Sequence, residues 1–240
     1  LTYGLLRGAL SNAGPRHYFA GDQLNLYISS GKLICDTPVL RDSVDNGDGT
    51  YTLYIDPAAL NPADIEGIDL SNNCVSALQV LVDNRSRNCN GMVYDNLLVT
   101  NIRSRGFLIK NSDVVVKNCT FMNIGMGAIA INMELEWSES GVSENVTIKD
   151  NYFENTGYYS NLVYYSPITV YSFAVQSDPS YLSYRDMLIE GNIVRNRSTP
   201  YALFLCGAQT VIVRDNDFGD HREYMNYPAV YVIFSQDVEF

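Results

Sequence analysis

The stretch Val146-Thr147-Ile148-Lys149-Asp150-Asn151-Tyr152-Phe153 recurs in altered form four more times along the chain. The other copies lie at residues 92–99, 114–121, 187–194 and 211–218. Each copy has apolar residues at its first, third and last positions and a polar turn after its fourth residue. The last residues of successive copies are 22, 32, 41 and 24 positions apart. A shortest step near 22 with longer insertions is typical of a solenoid in which one loop varies in length.

This repeat predicts an all-β fold, a right-handed parallel β-helix of the pectin-lyase type, over residues 71–240. A second strand is predicted after each copy, at residues 106–110, 128–132, 167–173, 202–206 and 229–234. Five successive coils between residues 90 and 238 would then stack Val116, Ile148, Ile189 and Val213 in one inward-facing column.

Asparagine occupies the sixth position of three copies, as Asn151, Asn192 and Asn216. A buried amide needs hydrogen-bond partners, and a stack of amides supplies them, so the pattern predicts a structural ladder inside the coils rather than a ligand site. Cys119 and Leu97 hold the same position in the first two copies, where apolar packing is expected instead.

Residues 1–70 do not follow the repeat and predict a small antiparallel β module. The strongest hairpin signal of the chain is DNGDG at residues 45–49, ahead of the alternating run at 50–55. A second alternating run lies at residues 24–28. Residues 57–90 are interpreted as a connector, with a first incomplete coil near residues 80–82.

The amino-acid composition limits the kinds of partner that the chain can bind. Sixteen basic and 27 acidic residues among 240 give a net charge of −11, which disfavours nucleic acid or an anionic membrane as a partner. The sequence contains no run of 18 apolar residues, so it predicts no membrane-spanning helix. The 18 tyrosines and the predicted fold favour a secreted or periplasmic protein, and the start at Leu1 is interpreted as a mature or truncated chain.

No cofactor and no metal site are predicted. Asp215, Asp217 and Asp220 suggest calcium, but they lack the glycine spacing of a calcium loop. Of the five cysteines, Cys74 and Cys89 are near enough in sequence to form a disulfide. The glycosylation-type sequences that begin at Asn84, Asn118, Asn145 and Asn196 are interpreted as structural turns.

The loop MELEWSESG at residues 133–141 is the most informative stretch for function. It combines Glu134 and Glu139 as candidate catalytic acids with Trp137, the only tryptophan of the chain. Carbohydrate sites join an aromatic platform to carboxylates that transfer protons at the glycosidic oxygen. Two structural alternatives stay open, in which Trp137 covers the neighbouring coil and the glutamates are solvated.

Neighbouring coils contribute further candidate substrate-binding residues, Arg105, Tyr158 and Tyr164. Arginine can hold a carboxylate ionised and donate hydrogen bonds to sugar hydroxyls, and tyrosines can line a glycan cleft. Tyrosine is also ordinary strand material, so each of these residues has a purely structural alternative.

Four segments in order carry a family resemblance: NIRSRGFLI at 101–109, VKNCTF at 116–121, WSESG at 137–141 and ENVTIKDNYF at 144–153. Together they resemble the β-helix proteins of glycoside hydrolase family 110, which are exo-acting α-1,3-galactosidases. AGDQL at 20–24 and GTYTL at 49–53 resemble the small β module of that family. The similarity covers roughly residues 15–220.

The resemblance implies metal-independent, inverting hydrolysis of a terminal galactoside by a glycoside hydrolase acting on an oligosaccharide or glycan. Only Trp137 and Glu139, with Glu134 as a neighbour, correspond to the site of that family, because the coils that precede the β module there have no counterpart here. The alternative is a catalytically silent glycan-binding or structural β-helix fragment. A polysaccharide lyase is a third, weaker option.

Overall fold

The computed structural model describes residues 18–28, 33–47, 51–61, 63, 80–134, 142–159, 165–172, 183–195, 199–219 and 227–240. These residues are mostly strand with almost no helix. The chain divides into two compact units, Leu1–Asn88 and Cys89–Phe240. The predicted module boundary at residue 70 lies outside the described residues. Within the described part of the chain, no helix combines the length and apolar character that crossing a membrane requires.

The first unit contains one antiparallel sheet, here called the module sheet. Its strands are β1 (Gln23–Ile28), β2 (Leu33–Asp45), β3 (Tyr51–Ile55) and β4 (Val80–Asn84), in the order β3-β2-β1-β4. Single 3-10 turns lie at Pro57–Ala59 and Arg85–Arg87. Strands β2 and β3 pair antiparallel around the predicted hairpin, where Gly47 has a φ of +76° that glycine adopts without strain. The predicted antiparallel pairing of these strands is therefore observed.

One prediction for this region was wrong. Residues 80–82 were expected in a first incomplete coil, but β4 pairs antiparallel with β1, with Leu26 opposite Val82. Alternation of apolar residues shows that a strand is half-buried, but it does not specify the partner strand or its direction.

One face of the module sheet forms an apolar core from Leu24, Leu26, Ile34, Cys35, Val39 and Leu53. Burial, together with the neighbouring Asp36 carboxylate, raises the pKa of the Cys35 thiol to about 11. The Cys35 side chain therefore stays protonated near neutral pH and acts as a small apolar residue. Cys89 is an exposed free thiol, so the disulfide considered between Cys74 and Cys89 is not formed.

The second unit consists of short strands that belong to three parallel sheets. The strands are β5 (Val93–Asp95), β6 (Leu98–Ile102), β7 (Phe107–Ile109), β8 (Val114–Lys117), β9 (Thr120–Ile124), β10 (Ile129–Met133), β11 (Ser143–Lys149), β12 (Tyr152–Thr156), β13 (Ile168–Ser172), β14 (Tyr184–Glu190), β15 (Ile193–Arg195), β16 (Leu203–Cys206), β17 (Ala208–Arg214), β18 (Val230–Ile233) and β19 (Gln236–Glu239). Sheet I has the order β19-β17-β14-β11-β8-β5, sheet II β15-β12-β9-β6 and sheet III β18-β16-β13-β10-β7. Up to β17 the chain visits sheets I, II and III in the same cyclic order, and one such passage is here called a repeat. Between β17 and β18, Asp217 makes only an isolated parallel bridge to Ile193 of sheet II.

The predicted register within sheet I is confirmed. Ile148 pairs with Val116 on one side and with Ile189 on the other, and Ile189 pairs with Val213. All four side chains are buried. Sheets II and III meet this column in the interior, where the ring of Phe121 stacks on Phe153 at 5.1 Å and contacts Phe107 edge-on at 5.1 Å.

The predicted asparagine ladder is present and its hydrogen bonds run from repeat to repeat. Nδ2 of Asn151 donates to Oδ1 of Asn192 at 3.0 Å, and Nδ2 of Asn192 donates to Oδ1 of Asn216 at 2.9 Å. Each amide also bonds the backbone: the N–H groups of Cys119, Asn151 and Asn192 donate to the Oδ1 atoms of Asn151, Asn192 and Asn216. Cys119 is buried at the end of the ladder, as expected. Leu97 is 42% exposed, so its expected apolar packing is not realised.

Three further columns place asparagine, aspartate and one threonine in the left-handed conformation at repeat spacing. They contain Asn96, Asn118, Asp150 and Asp215; Asn101, Asn123 and Asn155; and Asp113, Asn145, Asp186, Thr210 and Asp237. Asparagine and aspartate tolerate this conformation better than other residues with a side chain. Nδ2 atoms of Asn118 and Asn145 donate to carboxylates of Asp95 and Asp113 in the preceding repeat, which supports a structural role for these sequons.

We expect Ile148→Asp to unfold the second unit or destabilise it severely, because it places an unpaired charge among apolar neighbours. Thr147→Asp is the matched control, since Thr147 lies next to Ile148 on the same strand and is only half-buried. Urea denaturation monitored by circular dichroism measures both. An Ile148→Asp variant as stable as Thr147→Asp would contradict the register.

Asn192→Asp should lower the free energy of unfolding by about 3 kcal/mol or more, because a buried carboxylate would then face the acceptors Ile148 O and Asn216 Oδ1. Asn123→Asp makes the same chemical change in the outer column, where Asn123 bonds Asn101 and Asn155 near solvent. Its expected cost is within about 1 kcal/mol. Equal denaturation midpoints for the two variants would remove the ladder from its proposed role.

Candidate functional site

The outer face of sheet III brings together polar and aromatic side chains. Strand residues alternate between the two faces of a sheet. Phe107 and the residues paired with it in register, Ile129 and Ile168, face the interior. Residues an odd number of positions from these along a strand lie on the outer face. They are Asn132, three positions after Ile129, Tyr171, three after Ile168, and Phe204, which directly follows the partner of Ile168 on β16. Strands β10 and β16 are buried on both faces.

Glu134 lies at the centre of a polar cluster directly after β10. Its Oε1 accepts a hydrogen bond from the Arg105 guanidinium at 2.8 Å, and its Oε2 accepts one from Lys110 Nζ at 2.7 Å. Nδ2 of Asn132 donates to Oε1 at 3.3 Å. These four residues are here called the Glu134 cluster. The Glu134 side chain is only 11% exposed, so its two ion pairs are screened far less than pairs on the surface.

One acceptor of the Glu134 cluster is unsatisfied. Oδ1 of Asn132 is buried and is one of the buried polar atoms of the described residues that have no hydrogen-bond partner. A donor supplied by a ligand, such as a hydroxyl, would satisfy this atom. The cluster therefore offers one free acceptor beside two cations and one carboxylate.

The structure brings two of the predicted site residues together and separates a third. Glu134 and Arg105 form an ion pair, which is the arrangement expected of an arginine that holds a carboxylate ionised. Tyr158 is 48% exposed and lies two repeats beyond Arg105, on the connection between sheets II and III. Trp137, Glu139 and Tyr164 lie outside the described residues.

Lys110 and Asn132 were not predicted, although the repeat contained the signal. Ile109 pairs with Ile131, so the next residues, Lys110 and Asn132, are neighbours across strands β7 and β10. They are 22 residues apart, which is the shortest step of the repeat. The signal in the sequence was Asn132, a polar residue in an otherwise apolar strand. It lies one repeat step after Lys110 and two residues before Glu134.

An aromatic band continues along the same outer face. Phe204 contacts Tyr171 and Tyr231, each with ring centroids 5.7 Å apart. Tyr201 stacks on Tyr231 at 4.8 Å and meets Tyr227 at 5.4 Å. Tyr171 and Phe204 are buried, whereas Tyr227 is 41% exposed. The band therefore reaches solvent at Tyr227.

The electrostatics of the band favour neutral hydroxyls. Burial, with smaller contributions from Tyr231 and Tyr227, raises the pKa of Tyr201. Its hydroxyl stays protonated near neutral pH and can both donate and accept a hydrogen bond. Flat aromatic faces beside neutral hydroxyls suit the apolar face and the hydroxyl groups of a sugar ring.

Among the described residues, no group of three or more His, Cys, Asp and Glu side chains is arranged to hold a metal ion. No protein-family model matches the chain, and a search of curated proteins finds no match. The resemblance to glycoside hydrolase family 110 therefore stays a prediction from the sequence.

Glu134→Gln should lower the free energy of unfolding by about 2 kcal/mol or more, because it leaves Lys110 and Arg105 poorly compensated in a largely buried position. Glu144→Gln is the matched control. It removes an ion pair with Arg185, whose side chain is 50% exposed, and should cost less than about 1 kcal/mol. Chemical denaturation of both variants measures the difference, and equal values would show that the Glu134 cluster is energetically a surface pair.

Proposed function

We propose that the second unit is a right-handed parallel β-helix. Three parallel sheets visited in the same order from β5 to β17, buried columns in register and an internal amide ladder support this assignment. In such a fold the loops that leave the same side of successive coils emerge close together, so residues far apart in sequence can form one site.

We propose further that the chain is a carbohydrate-active protein, a glycoside hydrolase that acts on terminal galactosides of glycans. The observation that supports this most is the outer face of sheet III, where the Glu134 cluster and the aromatic band lie on the same sheet. Aromatic faces contact sugar rings, and charged groups fix the ring hydroxyls. A secreted or periplasmic location would give the protein access to such glycans.

The proposed reaction needs two carboxyl groups with different roles. An inverting hydrolase places its general acid and general base roughly 6.5–9.5 Å apart, with a water between the base and the sugar. Both carboxylate oxygens of Glu134 already accept hydrogen bonds from cations. We therefore assign Glu134 to holding Arg105 and Lys110 in place, Glu139 to proton donation and Trp137 to the sugar platform. Inversion also requires a second carboxylate, to which no residue is assigned, that takes the proton of the attacking water.

A second candidate function is a catalytically silent glycan-binding module. It is favoured by the same ion pairs, since a carboxylate whose two oxygens both accept hydrogen bonds from cations can help to position a ligand without transferring a proton. Binding needs only the aromatic residues and the polar cluster, with no requirement on the spacing of carboxylates.

Assays of the purified chain with aryl glycosides and galactose-terminated oligosaccharides test the proposal. Glu139→Gln should keep the fold and glycan binding but lower turnover by ~10²-fold or more, because it removes the proton donor. Glu136→Gln is the control, since Glu136 is three residues from Glu139 in the sequence and has no assigned role. Unchanged turnover in Glu139→Gln would exclude Glu139 from the mechanism.

The same experiment separates the two candidate functions. A chain that binds galactosides without turning them over, and that loses binding in Trp137→Ala, is a binding module. A folded chain that neither binds nor hydrolyses any of these glycans would refute both functions.

A further inference from the structure

The face of the module sheet opposite its apolar core carries a row of polar residues. Leu24 and Leu26 belong to the core, so Asn25 between them points to the other face. Asn25 lies directly opposite Asp36 of β2 and directly opposite Asp83 of β4. Directly opposite residues in antiparallel strands share a face, with Cβ atoms about 5 Å apart. The row therefore places one amide between two carboxyl groups.

The amide at the centre of this row has an unsatisfied oxygen. Asn25 is only 2% exposed, and its Nδ2 donates to the hydroxyl of Tyr27 at 2.9 Å. Oδ1 is at the other end of the amide, and it belongs to the buried polar atoms of the described residues without a hydrogen-bond partner. A buried acceptor without a hydrogen-bond partner is unfavourable, so a donor or a cation at this position would stabilise the fold.

The two flanking carboxyl groups have capacity to bind a cation. Asp83 is half-buried and accepts hydrogen bonds from Asn88 that are long, at 3.4 and 3.5 Å. Asp36 is exposed and borders a cavity of about 300 Å³ that Gln23, Arg85 and Ser86 also line. Because Asp36 lines this cavity, ions and water can reach its carboxylate.

We propose that Asp36, Asn25 and Asp83 bind a hard divalent cation, with calcium as the expected ion. All three side chains offer oxygen atoms, which select calcium or magnesium over softer metals. A cation above Asn25 can meet both carboxylates, because the reach of an aspartate plus a Ca–O distance of about 2.4 Å spans the spacing of neighbouring strands. Water from the cavity completes the six to eight ligands that calcium usually takes.

Arg85 is the competing positive charge. It lines the same cavity and interacts electrostatically with Asp83. With few protein ligands and this competitor, the dissociation constant should lie on the order of 10⁻⁴–10⁻³ M, the range of weak extracellular calcium sites. This site is independent of the proposed glycan function.

Calcium titration of the full chain tests the proposal, with thermal unfolding and calorimetry as readouts and NaCl at matched ionic strength as the blank. The wild-type chain should show saturable stabilisation by CaCl₂ and a weaker response to MgCl₂. Asp36→Asn and Asp83→Asn should each weaken binding by about tenfold or more, since each removes a charged ligand. Asp45→Asn, on the same strand β2, should bind like wild type, because Asp45 caps the hairpin by accepting from Gly47 N.

Two further variants keep the test decisive if an aspartate variant fails to fold. Asn25→Asp adds a negative oxygen at the centre of the row, so calcium should bind about tenfold more tightly and restore the stability of this variant. Arg85→Gln removes the competing charge and should also tighten binding. If the Asn25 amide is instead turned so that Nδ2 faces the carboxylates, the row needs no cation. Calcium would then leave the stability of the wild-type chain unchanged, which would overturn the proposal.

Discussion

The amide ladder of Asn151, Asn192 and Asn216 is the constraint on which the second unit depends. Each amide joins two repeats through its side chain and also satisfies a backbone N–H of the preceding repeat. An amide inside a protein is costly unless all of its hydrogen bonds are made, and they are made here only when the repeats are in register. A shift of one residue would bury unpaired amides and expose the column that contains Ile148. The ladder therefore specifies register, while the apolar columns and aromatic stacks supply most of the burial.

This register determines what the outer faces can present. Because Ile109 pairs with Ile131, Lys110 and Asn132 are adjacent, and Lys110 Nζ reaches Glu134. The aromatic band has the same origin, since Phe204 pairs with Tyr231 in register. Insertions of different length between the strands change the loops without changing these contacts. The ladder thus keeps the geometry of the strands the same from repeat to repeat, while the loops can differ in the chemistry that they add to sheet III.

The parts of the fold that the sequence could predict are those repeated in it. Five copies of one pattern predicted the inward column from Val116 to Val213 and the ladder, because both depend on a fixed step along the chain. The pairing of β4 with β1 was missed, since it occurs once and depends on a partner more than 50 residues away. Within the site, the ion pair between Arg105 and Glu134 was anticipated only as a general arrangement. Lys110 and Asn132 were missed because the repeat spacing was used to align interior residues and not the residues on the outer face of sheet III.

Among the described residues, the side-chain oxygens of Asn25 and Asn132 are both buried without a hydrogen-bond partner, and we explain both in the same way, as positions for a ligand. Each lies beside charged groups on a sheet face opposite an apolar face. Apolar residues at these positions would avoid the cost of burying a lone acceptor, so stability alone does not account for asparagine there. The charged groups beside each asparagine indicate which kind of ligand it would bind. Asn132 has Arg105 and Lys110 nearby, which suit hydroxyl groups and electronegative oxygens, whereas Asn25 lies between two carboxyl groups, which suit a cation.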